Sequence, residues 1–237
     1  MVHASNKSGR VTTRRQLKVA LEQLRASANR QFAQRLRRVG IDAPKSLGVP
    51  VPEIRRLARE LGTNHRLALA LWTTKLHEAR ILAILIADPL RISKPEIERW
   101  LSDLDTWDLC DHLCVDFVKD MPNPLQYVSR WIRRNELFVR RAAFTLIATL
   151  AIHDKSLPNA TFAQLLDLIE RCASDPRNYV KKAASWAIRQ IGKRNECLHV
   201  AALASAHRLR AAEGDVHKWI AADVVRELGR RGPRLPR

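Results

Sequence analysis

Apolar residues recur along this chain at spacings of three and four. The segments PEIRRLAREL, HEARILAILIA, RRAAFTLIATLA, FAQLLDLIERCA, VKKAASWAIRQIG and HKWIAADVVRELG each place an apolar stripe on one side of a helical period. Short Pro, Gly, Asn or Asp punctuation separates them, as helix ends require. Strand-like alternation is absent, and 8 glycines with 5% aromatic residues do not supply the turns and strands of a sandwich or barrel. The pattern predicts an all-α chain of about a dozen short helices.

Laid side by side, the helices repeat. FVRRAAFTLI at 138–147 matches YVKKAASWAI at 179–188, with an aromatic, a valine, two bases and two alanines in register at an offset of 41. VHKWIAADVV from Val216 is a weaker third copy at an offset near 36. Periods of this length built from helix pairs mark HEAT-like or ARM-like stacking, so the fold expected is a solenoid of antiparallel helix pairs. The boundaries expected are a basic N-terminal tail over 1–12, one repeat domain over 13–231 and a basic C-terminal tail over 232–237.

Charge adds a partner to this picture. Lys and Arg total 42 against 24 Asp and Glu, giving +18, a balance that favours a polyanion. The bases at the helix starts (Arg140 and Arg141, Lys181 and Lys182, and Lys218 in the third copy) oppose the helix dipole by a few tenths of a kcal/mol each, on the order of the surface dipole effect. A phosphate at those N-termini reverses the sign, and repetition would line a track for a nucleic-acid backbone. No apolar run approaches the ~20 residues of a membrane span, and the start, MVHASNKSGRVTTRRQ, has no apolar core of a secretory signal. A cytoplasmic protein with no membrane association is expected. The four cysteines form no C-x-x-C pair and are read as reduced, small buried thiols rather than metal ligands.

Against this basic background DLDTWDLCDHL, residues 103–113, carries four acids. Asp105 and Asp108 have the spacing of a capping box at a helix start. Asp111 is not explained that way, since it lies a turn further in, on the helical face of Trp107. Tryptophan is also overused, with six against five Phe and two Tyr. Trp72, Trp100 and Trp131 have the apolar neighbours of core residues, whereas Trp107 and Trp186 sit beside charged residues near helix starts, where an indole face can attract a cation or stack on a base.

The order and spacing of LGVPVPEIRRLAREL, ALWTTKLHEARILAILIA, DTWDLCDHL, ELFVRRAAF and YVKKAASWAIRQIGK resemble the HEAT-like DNA alkylation repair glycosylases, the alkylpurine glycosylase D family. The likeness runs from about residue 40 to 230. It implies a monomeric solenoid that binds double-stranded DNA bearing alkylated purines. The enzyme would hydrolyse the N-glycosidic bond of cationic 3-methyladenine or 7-methylguanine with the lesion left in the stack. Family residues around the lesion nucleotide match Trp107, Asp111, Arg141 and Trp186, while no N-terminal aromatic aligns with the family's further lesion-side contact, Phe32 being a candidate only. The chain departs from the pattern at Phe138, where Trp is frequent, at Ser185, where Gly is common, and in the extra LAIHDKSLPNATF.

The chemistry fits these residue types. An N3- or N7-alkylated purine already carries positive charge and leaves without a general acid, so one carboxylate that stabilises the sugar cation or orients water suffices. Asp111 would be that carboxylate, Trp107 and Trp186 would attract the cationic nucleotide, and Arg141 would hold a phosphate. Neither cofactor nor metal is called for. Two other readings stay open: a nucleic-acid-binding solenoid without chemistry, and a HEAT scaffold for an acidic protein.

Overall fold

The computed structural model describes the backbone of residues 2–230 and the side chains of residues 12–230. Its contacts divide into two compact units, Met1–Pro122 and Asn123–Arg237. The junction is a Pro-Asn-Pro step in which Asn123 takes a left-handed φ of 51° and neither proline can continue a helix. All described regular structure is helical, as the apolar periodicity predicts. None of the described helices is long and apolar enough to cross a membrane.

The first unit contains α1 (Val2–Ala26), α2 (Arg30–Arg38), α3 (Val51–Leu61), α4 (His65–Trp72), α5 (His77–Ile86), α6 (Lys94–Ser102), α7 (Trp107–Asp116) and a single 3-10 turn at Val118–Asp120. The stretch expected as an N-terminal tail is thus continuous with α1, and the C-terminal tail lies outside the described residues. At the centre is α5, which packs on α3, α4 and α7. Its sequence HEARILAILI is buried on nearly every side, the composition of a helix with no solvent face. Each of its buried isoleucine and leucine side chains contributes about 1.5–3 kcal/mol.

A helix that buries His, Glu and Arg in its first turn must partner all three. Glu78 reaches the loop before α3, accepting from Ser46 Oγ (2.7 Å), Leu47 N (3.0 Å) and Gly48 N (2.7 Å). Gly48 has φ +73°, and a Cβ there would stand 2.1 Å from the Asn29 carbonyl oxygen, so only glycine lets this loop run beneath the start of α2. Arg80 donates to the Asp103 carbonyl (2.9 Å) and lies over the Trp72 ring. Trp72 in turn stacks on Trp100 with centroids 4.3 Å apart and donates from Nε1 to Asp103 (2.9 Å). The Trp72, Glu78 and Arg80 pattern, one of the segments behind the family resemblance, is therefore a structural knot.

The second unit contains α8 (Leu125–Trp131), α9 (Leu137–His153), α10 (Asn159–Cys172), α11 (Asn178–Gly192), α12 (Glu196–Ala211) and α13 (Asp215–Leu228). Here α9 packs on α11 and α11 on α13, while α10 and α12 pack on each other behind them. This is the layered stacking of HEAT-like helix pairs. Arg141 and Lys182 are each the fifth residue of their helices, matching the offset of 41 read from the repeat. The alanine pairs of both copies are buried between the helices. The extra segment LAIHDKSLPNATF makes the end of α9 and the start of α10, where Arg194 holds the turn through the carbonyls of Ala151 (2.7 Å) and Asp154 (2.8 Å).

Candidate functional site

α7 begins one residue later than a cap at Asp105 requires. Thr106 is its N-cap, in extended conformation and with no side-chain capping bond. Asp105 instead lies 3.4 Å from Arg80, and Asp108 accepts from His77 Nε2 at 2.9 Å. The capping-box reading of these acids is thus replaced by long-range pairing: both are drawn to the polar residues that α5 buries. Burial opposes the charge on each member of the His77–Asp108 pair, yet their mutual hydrogen bond and attraction prevail. His77 is raised above its ordinary value and Asp108 held below the usual carboxylate range.

These opposite shifts set a pH window. The raised His77 stabilises the fold fully below its unfolded value of 6.5 and loses that contribution as pH rises through its folded value. The lowered Asp108 contributes above its unfolded value of 3.8 and loses this as pH falls through its folded value. The stability gap between wild type and His77→Gln is therefore expected to be widest from about pH 4 to 6.5 and to shrink towards pH 9. Urea denaturation across that range checks it; a constant gap would mean that the pair is uncharged.

Beyond this pair, α7 turns its partly exposed face to a pocket of about 340 Å³. Trp107 and Asp111, one turn apart, both line it. The pocket's apolar lining includes Phe32 and Leu36 from α2, Val49 from the loop before α3 and Val51, the first residue of α3. Trp107 is fixed by donation from Nε1 to the Val39 carbonyl at the end of α2 (3.1 Å). At the far end, Asp116 accepts from Arg55 (2.8 Å) and His112 (2.7 Å). Burial works against the Asp116 charge, but the bonds from His112 and Arg55 hold it below the usual range. Phe32 thus stands on the same pocket as the two α7 residues. Sequence reading missed His77 and Arg55, whose partners Asp108 and Asp116 lie too far along the chain for helical spacing to signal. It also missed His112 and Asp116, an i,i+4 pair on α7 that helical spacing does signal.

The remaining predicted residues belong to the second unit. Arg141 is buried at 7% exposure and donates to the Tyr179 carbonyl at 2.7 Å, tying α9 to the start of α11. Trp186 is half-buried on α11. Arg140 donates to the Ile132 carbonyl (3.1 Å) and to the buried Asp175 (3.2 Å). Asp175 is brought down to about 2, chiefly by Arg177 and further by Arg140, against the effect of burial. The protein's own carboxylate here supplies the anion that a basic helix start favours. Lys181 lies over the Trp219 ring at 4.9 Å, while Lys182 and Lys218 are exposed. Trp72, Trp100 and Trp131 are core residues. Cys110 and Cys114 are buried thiols as expected, whereas Cys172 is half-buried and Cys197, in the first turn of α12, is exposed.

Comparison with known proteins follows the same line. A solved structure described as "a new family of proteins related to the HEAT-like repeat DNA glycosylases with affinity for branched DNA structures" superposes with a TM-score of 0.73. The match covers 93% of this chain and 98% of the other at 17% identity, and so speaks for the fold. Among curated proteins, none matches in sequence. The sequence pattern of the DNA alkylation repair enzymes, however, matches residues 20–217, most of the length, and on that extent the chain belongs to the DNA alkylation repair enzyme family.

Proposed function

We propose that the protein is a DNA N-glycosylase that releases cationic N-alkylated purines, 3-methyladenine and 7-methylguanine, from double-stranded DNA. The supporting observation is the placement of Trp107 and Asp111 one turn apart on a single pocket. An indole face and a carboxylate at that spacing suit a cationic nucleotide and the oxocarbenium-like transition state of glycosidic cleavage. Asp111 is assigned to stabilise the sugar cation or orient water, and Trp107 to attract the charged nucleotide. Arg141 and Trp186 enter this reading through the resemblance, as a phosphate contact and a second indole. Incubating the purified chain with methylated duplex DNA and measuring free base tests the proposal; absence of release under single-turnover conditions refutes it.

A second reading, a binder of branched DNA without chemistry, is favoured by what the structural neighbour is described as binding. Both readings require phosphate contacts. Arg141 and Arg140 are engaged within the protein, so Lys182 and Lys218 are the cleaner probes. Duplex affinity is expected to fall steeply with salt, with a log-log slope of about −0.9 per phosphate neutralised. The Lys182→Ala, Lys218→Ala double variant should flatten that slope by about 0.9 for each phosphate that is no longer neutralised. A titration by fluorescence anisotropy decides; affinity indifferent to salt would exclude a phosphate track.

A further inference from the structure

The second unit carries an aromatic that the proposed chemistry does not use. Trp219 is 36% exposed, in contrast to the core indoles Trp72, Trp100 and Trp131. An indole of this size is normally buried, so leaving a third of it to solvent on a basic surface needs a reason. It is the fifth residue of α13 and directly follows Lys218, the third copy's counterpart of Arg141 and Lys182. Lys181, from the neighbouring α11, lies over the ring at 4.9 Å and so fixes its orientation by a cation–π contact.

The surroundings are those of a strand-binding surface. Lys182 and Lys218, adjacent in sequence to the two members of this pair, are exposed. Lys218 also enters a groove of about 470 Å³, which Arg210 and Arg226 share, over a floor formed by Ala221, Ala222 and Val225. Arg226 additionally pairs with Asp223. Asp215, one turn before Trp219, is an exposed acid that disfavours phosphate at the very start of α13. A backbone is therefore favoured at the groove, which Lys218, the residue before Trp219, lines.

We propose that Trp219 is a stacking platform for an unpaired nucleobase, with the Lys218, Arg210 and Arg226 groove receiving the adjoining phosphates. Paired bases inside a duplex do not offer a free face, so the site selects single-stranded segments, including those at a nick, flap or junction. Aromatic platforms of this kind accept any base because every base has a π-face. The inference rests on the nucleic-acid reading above.

The test is anisotropy with a thymidine homopolymer and with a matched blunt duplex, using wild type, Trp219→Ala and Trp219→Phe. Trp219→Ala is expected to weaken single-strand binding by roughly tenfold, within the range of one base–aromatic stack. Duplex affinity should change less than about twofold, and Trp219→Phe should keep most of the single-strand affinity, since its ring still stacks. Unchanged single-strand binding in Trp219→Ala overturns the proposal. Equal losses for both DNAs overturn it as well, because they report a general effect, which circular dichroism and a thermal melt locate in the fold or the charge. If wild type binds neither DNA, the nucleic-acid reading itself falls and takes this inference with it.

Discussion

Release of 7-methylguanine or 3-methyladenine from methylated duplex is expected to slow by roughly 10² or more when Asp111 becomes Asn, the scale of losing one well-placed electrostatic group. The substitution keeps size and much of the hydrogen bonding and removes only the charge. Its neighbours on α7 supply the control. Asp108 and Asp116 line the same pocket but are held by His77 and by Arg55 with His112, so charge removed there breaks an internal pair. Asp108→Asn should therefore cost stability, about 1.5–3 kcal/mol for a hydrogen bond to a charged group, more than a lost helix cap. Single-turnover release, with a denaturation curve for each variant, separates the two effects. Equal rates for Asp111→Asn and wild type would remove Asp111 from the mechanism.

The Glu78→Gln variant should lose about 2–4 kcal/mol, since a neutral amide has one acceptor where the buried carboxylate serves Ser46, Leu47 and Gly48 with two. Its NH₂ group would face backbone N–H groups that are already donors. The loop before α3 borders the pocket through Val49, close to Val51 at the start of α3, so its loosening reaches the candidate site as well. Urea unfolding with an unchanged slope is the measurement. A loss below about 1 kcal/mol would mean that the loop is held by other contacts.

Much of the fold was legible because helix periodicity is local. Trp72, Trp100 and Trp131 announced themselves as core by their apolar neighbours, and the repeat placed Arg141 and Lys182 at the same depth of successive helices. Trp107 and Asp111 were likewise readable as a pair, since one helical turn joins them. What stayed hidden depended on partners distant in sequence. Spacing made Asp105 and Asp108 look like caps, because the pull of Arg80 and His77 arises only when α5 and α7 pack. Similarly, the basic helix starts looked alike in sequence, yet Arg140 meets Asp175 and Arg141 meets a backbone carbonyl, while Lys182 stays in solvent.

The bond from Trp107 Nε1 to the Val39 carbonyl has a bearing on selectivity. An indole has a single polar donor, and here it is committed to α2. What Trp107 can offer an incoming molecule is its electron-rich face, which senses positive charge and outline but carries no pattern of donors and acceptors to compare with one. In the proposed role, discrimination through this residue would be a form of electrometry: it would separate a charged ring from its neutral twin and be indifferent to which heteroatoms the two have in common.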